Sequence, residues 1–113
     1  MHLLADVWTK PGALRAYTGP QWEAWLRGTA EALGLQVLGA QQHDFGAPGA
    51  VTVVVVLGTS HATVHTWPEY DYLALDVFSC RGRFEPAIVE ERLRHWLPVA
   101  MLRRVVVDRE PER

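Results

Sequence analysis

The sequence has one cysteine, no block of basic residues and no long apolar run. A single cysteine cannot form a disulfide within the chain, which excludes a secreted, disulfide-linked scaffold and makes a cytoplasmic protein the expectation. Lysine and arginine number 11 against 13 aspartates and glutamates, a net charge of -2, which argues against nucleic acid as the main partner. The longest apolar run, within residues 53–58, is too short to span a bilayer, so no membrane partner is expected.

The chain of 113 residues is short enough to form one domain around one hydrophobic core, and we assign residues 1–113 to that domain. It nevertheless contains 49% hydrophobic residues and five tryptophans. A small domain with so much apolar surface often covers part of that surface by oligomerising. We therefore expect a homodimer.

The spacing of apolar and turn-forming residues predicts the element order β-α-β-β-β-β-α-β. One helix follows Pro20 and is capped by Gly34, and the other begins at Glu85-Pro86. The predicted strands cover residues 2–8, 35–45, 51–57, 61–66, 72–78 and 103–107. This order predicts the α+β class, a two-layer α/β sandwich in which both helices cover one face of a mainly antiparallel sheet. The opposite face then needs a partner or a polar surface.

The stretch GTSHATVHTWPEYDYLALDVFSC, residues 58–80, holds the only cysteine and two of the five histidines. His61 and His65 are four residues apart, but a strand would separate them by roughly 13 Å, so we expect no metal site. Cys80 has no local signature of a cysteine protease, and a lone cysteine at a strand end is more often a buried small hydrophobe. Taken singly, these residues leave the function open.

The two strands within this stretch form a predicted hairpin that brings polar side chains together. If the hairpin turns near residues 69–70, residues whose numbers sum to about 139 lie opposite each other. Ser60 then lies beside Ser79 and Cys80, so that a hydroxyl and a thiol share one end of the sheet. His65 lies roughly 16 Å along the strand from Ser60. It can serve Ser60 only through a bend or from another copy of the chain.

The segments SH, HTWPEY and DVFSC occur in register between Ser60 and Cys80. Their spacing resembles that of the bacterial and archaeal S-adenosylmethionine decarboxylase proenzymes, whose pattern is roughly ESH-x-x-x-HTWPE-x-x-Y-x-x-x-D-x-F-x-C. Everything but the first glutamate of that pattern is present, and the similarity extends over residues 2–107. The resemblance implies a pyruvoyl-dependent decarboxylase of S-adenosylmethionine, which supplies the aminopropyl donor for spermidine biosynthesis.

The resemblance also implies that the cofactor is made from the chain itself. In the family the motif serine attacks the carbonyl group of the preceding residue, the amide becomes an ester, and elimination and hydrolysis leave a pyruvoyl group. Carried over, the chain is cleaved between Thr59 and Ser60, and Ser60 becomes the pyruvoyl group. Its ketone condenses with the substrate's amine as a Schiff base, which takes up the electrons released with carbon dioxide.

Other motif positions acquire roles from the same resemblance. Cys80 is implied as the acid that returns a proton to the α-carbon, and this agrees with the hairpin pairing. His65 and Thr52 are implied to assist self-processing. Because the family's active site lies between two protomers, His65 is expected to serve Ser60 of a partner.

Substrate binding is assigned in the same way, to three residues. Glu69 is implied to accept hydrogen bonds from the ribose hydroxyls, since a carboxylate can take two such bonds from a diol. Phe45 and Trp67 are implied to stack on the adenine or to wall its pocket. The partners expected from the resemblance are therefore S-adenosylmethionine and a second copy of the chain.

Three residues depart from the family pattern, and one of them is Arg81, which follows Cys80 where the family usually has glycine. Thr59 replaces the usual glutamate before the cleavage serine, and a β-branched residue there alters the turn at the cleaved bond. Asp71 stands where glycine is common and adds negative charge beside Glu69. These changes leave two alternatives open. One is a pyruvoyl-dependent decarboxylase of arginine or ornithine, whose cationic side chain suits an acidic pocket, and the other is an uncleaved, non-catalytic paralogue that acts as a binding or regulatory subunit.

Overall fold

Six strands and two α-helices follow one another in the predicted order within residues 1–80 and 82–109, which a computed structural model of the chain describes. Arg81 and residues 110–113 lie outside the described residues, although the domain assigned to residues 1–113 includes them. The strands are β1 (His2–Thr9), β2 (Val37–Asp44), β3 (Val51–Leu57), β4 (Ser60–Trp67), β5 (Tyr72–Phe78) and β6 (Val99–Val107). The α-helices are α1 (Gly19–Ala32) and α2 (Pro86–Trp96), and short 3₁₀ turns cover Ala13–Ala16 and Pro68–Tyr70.

The predicted bounds of four strands were wrong, and two of these strands, β1 and β4, end one residue later than predicted, at Thr9 and Trp67. β2 is shorter than the predicted 35–45, so that Phe45 follows the strand rather than ending it. β4 begins at Ser60, one residue earlier than predicted, because Ser60 pairs with Leu57 across a two-residue turn. β6 begins at Val99 rather than at residue 103, because its pairing with β1 continues past a register shift to Thr9.

The six strands form one sheet in the order β2-β3-β4-β5-β1-β6, and every neighbouring pair is antiparallel. In the β4–β5 hairpin, His61 lies opposite Phe78 and Ala62 lies opposite Val77. Both pairs have the predicted sum of 139, so the predicted hairpin register is confirmed. The position of β1 between β5 and β6 does not follow from the order of elements along the chain.

Local capping explains where the helices begin and end. Thr18 and Gln21 form a capping box at the start of α1, where the Gln21 side chain accepts from the Thr18 amide at 2.9 Å. Gly34, at φ 76°, follows the end of α1 in the left-handed conformation that glycine adopts without steric cost. Glu85 caps α2 by accepting from the amide two residues later at 3.2 Å.

Alternation along the strands gives the sheet one buried face and one open face. The buried face packs against both helices in one core, to which Val53, Val64 and Leu75 contribute from the sheet, and Trp22 and Leu93 from the helices. Each such side chain contributes about 1.5–3 kcal/mol when fully buried. The α+β class and the two-layer arrangement are confirmed. Neither α1 nor α2 is long and apolar enough to cross a membrane.

Candidate active site

The turn between β3 and β4 consists of two residues, Gly58 and Thr59, and leads directly into Ser60. Thr59 has a φ of 58°, in the left-handed region, whereas Gly58 lies outside that region. A β-branched residue therefore occupies the position that favours glycine, and the glycine occupies a position that other residues tolerate. The backbone strain, about 1–2 kcal/mol, lies next to the Thr59–Ser60 peptide bond.

Cys80 lies two residues beyond the end of β5 and contacts this turn from the neighbouring strand. Its backbone N–H donates to Ser60 Oγ at 3.3 Å, and its thiol donates to Thr59 Oγ1 at 2.9 Å. Ser60 is buried, with 8% of its surface exposed, whereas Cys80 is exposed. The predicted neighbourhood of Ser60 and Cys80 is confirmed, and the simpler expectation of a buried cysteine was wrong. We call Gly58, Thr59, Ser60 and Cys80 the Ser60 end of β4.

Thr52 and His65 lie opposite each other on β3 and β4 and share a hydrogen bond of 2.5 Å between Oγ1 and Nδ1. Both side chains lie on the open face, whereas the side chain of Ser60 belongs to the buried face. The structure therefore brings Thr52 and His65 together but separates His65 from the Ser60 of the same chain. His65 and Ser60 of one chain are therefore kept apart both by their distance along β4 and by their positions on opposite faces of the sheet.

A row of aromatic rings crosses the open face near His65. The Trp67 ring centroid lies 4.0 Å from that of His65 and 5.2 Å from that of Tyr72. The row continues to Phe45, 5.6 Å from His65, and to Trp8, 5.2 Å from Tyr72. Sequence reasoning missed Tyr72 and Trp8, although both alternate with buried residues on their strands, because the pairing of β1 with β5 is not local. The aromatic row offers flat apolar surfaces to a planar ring.

Glu69 lies exposed in the 3₁₀ turn between β4 and β5. With Arg15 and Pro48, it lines a depression of about 190 Å³. Asp71, at φ 52°, accepts a hydrogen bond from the Gly12 amide at 2.8 Å. The Asp71 carboxylate, which adds negative charge beside Glu69, is therefore hydrogen-bonded to the loop between β1 and α1. We call His65, Trp67, Glu69 and Asp71, with the aromatic row, the His65 end of β4.

Asp6 joins Tyr72 and Arg103 on the open face. The Tyr72 hydroxyl donates to Asp6 Oδ1, and Arg103 donates to Asp6 Oδ2 at 2.9 Å. The hydrogen bond from Tyr72, and then the one from Arg103, lower the pKa of Asp6. Burial, and then the hydrogen bond to Asp6, raise the pKa of Tyr72 to about 12. The Tyr72 ring is thus fixed within the aromatic row by a phenol that stays protonated at neutral pH.

His61 follows Ser60 in sequence but lies on the opposite face, among His2, Phe78 and Asp76. Its ring centroid is 5.4 Å from Phe78 and 6.0 Å from His2. Burial, and then the nearby His2, lower the pKa of His61 and favour its neutral form. Within residues 1–80 and 82–109, no three histidine, cysteine or acidic side chains form a group that could hold a metal ion.

These features define a two-layer α+β protein whose reactive side chains lie at the two ends of one central strand. The family model described as S-adenosylmethionine decarboxylase matches residues 1–110, and the chain belongs to this family. The family prediction made from the motif is therefore confirmed.

Relatives with the proenzyme name cover nearly the whole chain. The chain is 33% identical to the S-adenosylmethionine decarboxylase proenzyme of Methanococcus vannielii over 115 residues, which span 96% of this chain and 92% of the relative. It is also 33% identical to that of Methanococcus aeolicus over 100 residues, 88% of this chain and 83% of the relative. The crystal structure of the adenosylmethionine decarboxylase from Aquifex aeolicus VF5 has a TM-score of 0.76 at 22% identity, covering 99% of this chain and 95% of that chain. That structure shares the fold.

Proposed function

We propose that the protein is a pyruvoyl-dependent S-adenosylmethionine decarboxylase that makes its cofactor from Ser60 and supplies the aminopropyl donor for spermidine biosynthesis. Membership of the family and the proenzyme name of its relatives support the reaction and the substrate. The observation that carries the cofactor assignment is the contact of Ser60 with Cys80 beside the strained Thr59 peptide. A cytoplasmic location is part of the proposal, since a single cysteine suits a reducing compartment.

The residues at the Ser60 end fit a serine that is converted into a pyruvoyl group. Attack of Ser60 Oγ on the Thr59 carbonyl carbon forms an ester while the amide C–N bond breaks and the nitrogen takes up the proton. Removal of the Ser60 α-proton then expels the Thr59 carboxylate and leaves dehydroalanine. Protonation of its β-carbon gives the imine, which water hydrolyses to a ketone and ammonia. The attacked carbonyl group belongs to the strained residue Thr59, so release of this strain on the way to the ester favours the first step.

When present, the pyruvoyl group supplies a ketone that condenses with the substrate's amine and takes up the electron pair left by carbon dioxide. Cys80 is the residue in position to return a proton to the α-carbon. Its amide already contacts Ser60 Oγ, and its thiol donates to Thr59 Oγ1 in the turn that precedes Ser60. An acid placed within hydrogen-bonding reach of the reacting atoms is what proton donation requires.

The His65 end supplies groups that suit the adenosine part of the substrate. Trp67 and Phe45, which is 55% exposed, offer ring faces for the adenine. Glu69 is exposed and has carboxylate oxygens for both ribose hydroxyls. The bond between Thr52 and His65 fixes the imidazole on the same face, which supports a processing role for both residues.

One substrate cannot contact both ends of β4 within one chain, because eight strand residues extend over roughly 23 Å. The proposed active site therefore combines Ser60 and Cys80 of one protomer with His65, Trp67 and Glu69 of its partner. Apolar side chains on the open face support contact with a second copy. The large exposed ones are Leu4, Val56, Met101, Val105 and Val107.

Mass spectrometry of the intact purified protein tests the cofactor assignment. We expect two fragments, separated between Thr59 and Ser60, instead of one chain of 12.7 kDa. Ser60→Ala should prevent cleavage, whereas Ser79→Ala, which alters another buried serine nearby, should permit it. A wild-type chain that stays whole on prolonged incubation, or a Ser60→Ala chain that still splits at this bond, contradicts the proposal.

Carbon dioxide release from carboxyl-labelled S-adenosylmethionine, arginine and ornithine, measured in parallel, tests the substrate. Release from S-adenosylmethionine alone supports the proposal. Faster release from arginine or ornithine would establish the related amino-acid decarboxylase instead. A cleaved chain that releases carbon dioxide from none of the three contradicts both enzyme assignments. A chain that stays uncleaved and releases none favours the uncleaved binding or regulatory subunit.

A further inference from the structure

We infer that Thr59 positions the Cys80 thiol by accepting a hydrogen bond from it, an inference that rests on the proposed role of Cys80 as proton donor. Thr59 has a second function in this reading, beyond supplying the carbonyl group that is attacked. Its hydroxyl lies between the carbonyl oxygen of Gly58 and the sulfur of Cys80.

The direction of the two hydrogen bonds follows from the number of protons available. The Thr59 hydroxyl has one proton, and the Gly58 carbonyl oxygen, 2.7 Å away, can only accept it. Thr59 Oγ1 then has only lone pairs to offer to Cys80 Sγ at 2.9 Å. The sulfur is therefore the donor in this contact, and the S–H bond is directed at Thr59 Oγ1.

The same contact restricts the conformation of an exposed side chain. Cys80 is exposed, so packing alone would leave its thiol free to change rotamer. Its amide is bound to Ser60 Oγ and its thiol to Thr59 Oγ1. The two residues on either side of the proposed cleavage point thus hold the proton donor by separate atoms.

Of these two contacts, only the one from Thr59 is available after cleavage, because Ser60 Oγ leaves with the Thr59 carboxylate. Thr59 remains joined to β3 through Gly58. Its side chain therefore stays near Cys80 in the cleaved chain, where the comparison of Thr59→Val with wild type tests whether the contact persists. Thr59 is a positioning residue, since it acts on the reaction through the thiol.

Infrared spectroscopy of the S–H stretch tests the contact directly, because the chain has one cysteine and so gives one band. The uncut Ser60→Ala protein should absorb at a lower frequency than a thiol in water. Adding Thr59→Ser should keep this band in place. Adding Thr59→Val, which keeps the β-branched shape but removes the hydroxyl, should move it to the frequency of a thiol without that bond.

Turnover of the cleaved enzyme gives the functional readout. Thr59→Val should lower kcat about fivefold, the loss expected of one ordinary hydrogen bond, without changing KM. Thr59→Ser should retain kcat. Equal losses in both variants, or a change confined to KM, would overturn the positioning role.

The infrared and kinetic measurements distinguish a failure of the Thr59 inference from a failure of the proposed decarboxylase function. A band that does not respond to Thr59→Val overturns the inference even if the wild-type enzyme decarboxylates S-adenosylmethionine. A band that responds as expected in a protein that never decarboxylates contradicts the proposed function and not the hydrogen bond.

Discussion

β4 lies between two turns that each hold a residue other than glycine in the left-handed region, Thr59 at φ 58° and Asp71 at φ 52°. Their surroundings differ. Asp71 is of a residue type that tolerates this conformation, and its carboxylate accepts from the Gly12 amide of a distant loop. Thr59 is β-branched, and among the described residues its hydroxyl is bonded to the adjacent carbonyl and to an exposed thiol. The left-handed residue at one end of β4, Asp71, is thus hydrogen-bonded to a distant loop. The one at the other end, Thr59, lies beside reactive groups.

This difference shows how one strand can hold two kinds of site. At the Ser60 end the groups suit covalent chemistry on the backbone, and at the His65 end rings and carboxylates suit recognition. β4 lies between β3 and β5 in the sheet, so its two ends are fixed relative to each other. Within one chain, substitutions at sites so far apart are expected to act independently. The proposed dimer brings the Ser60 end of one protomer to the His65 end of its partner, so any coupling between the two ends should act across the interface, and the following changes test this.

The largest effect on turnover is expected from Cys80→Ala. Loss of a positioned acid should lower the decarboxylation rate by about 10²–10⁴-fold. Cleavage should proceed at close to the wild-type rate, because Ser60 Oγ is contacted by the backbone amide of residue 80, which alanine retains. Fragment formation by mass spectrometry and carbon dioxide release would be measured on the same sample. Parallel loss of both activities would place the thiol in processing and contradict the assignment.

The next largest effect should appear when chains with different substitutions share a dimer. His65→Ala alone should slow cleavage by about 10²-fold, as expected for loss of a general acid or base. Co-expression with a Ser60→Ala chain should restore cleavage of the His65→Ala chain, because the partner still carries His65. A mass tag on one chain identifies which is cut. His95→Ala, on α2 in the helix layer, serves as the control and should cut normally.

The proposed shared site requires that cleavage of the His65→Ala chain is restored in the mixed dimer. If the His65→Ala chain stays uncut in the mixed dimer, His65 does not act across the interface. If His65→Ala is cut normally on its own, His65 has no role in processing. Either result would break the division of the site between two protomers while leaving the Ser60 end unaffected.

Much of this arrangement can be predicted from local pattern. Strand alternation and the turn after Trp67 fix the register that places Ser60 near Cys80, because a hairpin register follows from the turn. The motif from Ser60 to Cys80 predicts the family. Caps at Thr18 and Glu85 explain the observed helix starts, and the sequence places both starts within a residue.

The rest depends on contacts between distant parts of the chain. The insertion of β1 between β5 and β6 brings Trp8 and Asp6 to Tyr72, and no local pattern specifies such pairing. The bond from Gly12 to Asp71 likewise joins residues 59 apart in sequence. The contact between Thr59 and Cys80 depends on side-chain direction at a turn, which residue types alone do not determine.

A smaller effect is expected from relieving strain at the two turns. Thr59→Gly should slow cleavage about 5–30-fold if the 1–2 kcal/mol of left-handed strain is released on the way to the ester. Asp71→Gly relieves the same kind of conformation at the other end and should leave the cleavage rate within about twofold of wild type. Both rates would be followed by mass spectrometry of freshly synthesised chain. Equal slowing by the two substitutions would mean that strain at the Thr59 turn has no special role.

The smallest effect concerns stability at the His65 end at high pH. The pKa of Tyr72 is about 12 in the folded protein and its ordinary value is 10, so folding favours the protonated phenol. This contribution is complete below pH 10 and is lost as the pH rises from 10 to about 12. Tyr72→Phe should therefore flatten the fall in the free energy of unfolding across this window, by an amount that solvent screening keeps small, as measured by urea denaturation at several pH values. Tyr70→Phe, at a residue 70% exposed, should leave the slope unchanged. If both substitutions flatten the fall in the free energy of unfolding equally, the hydrogen bond from Tyr72 to Asp6 is not the cause of that fall.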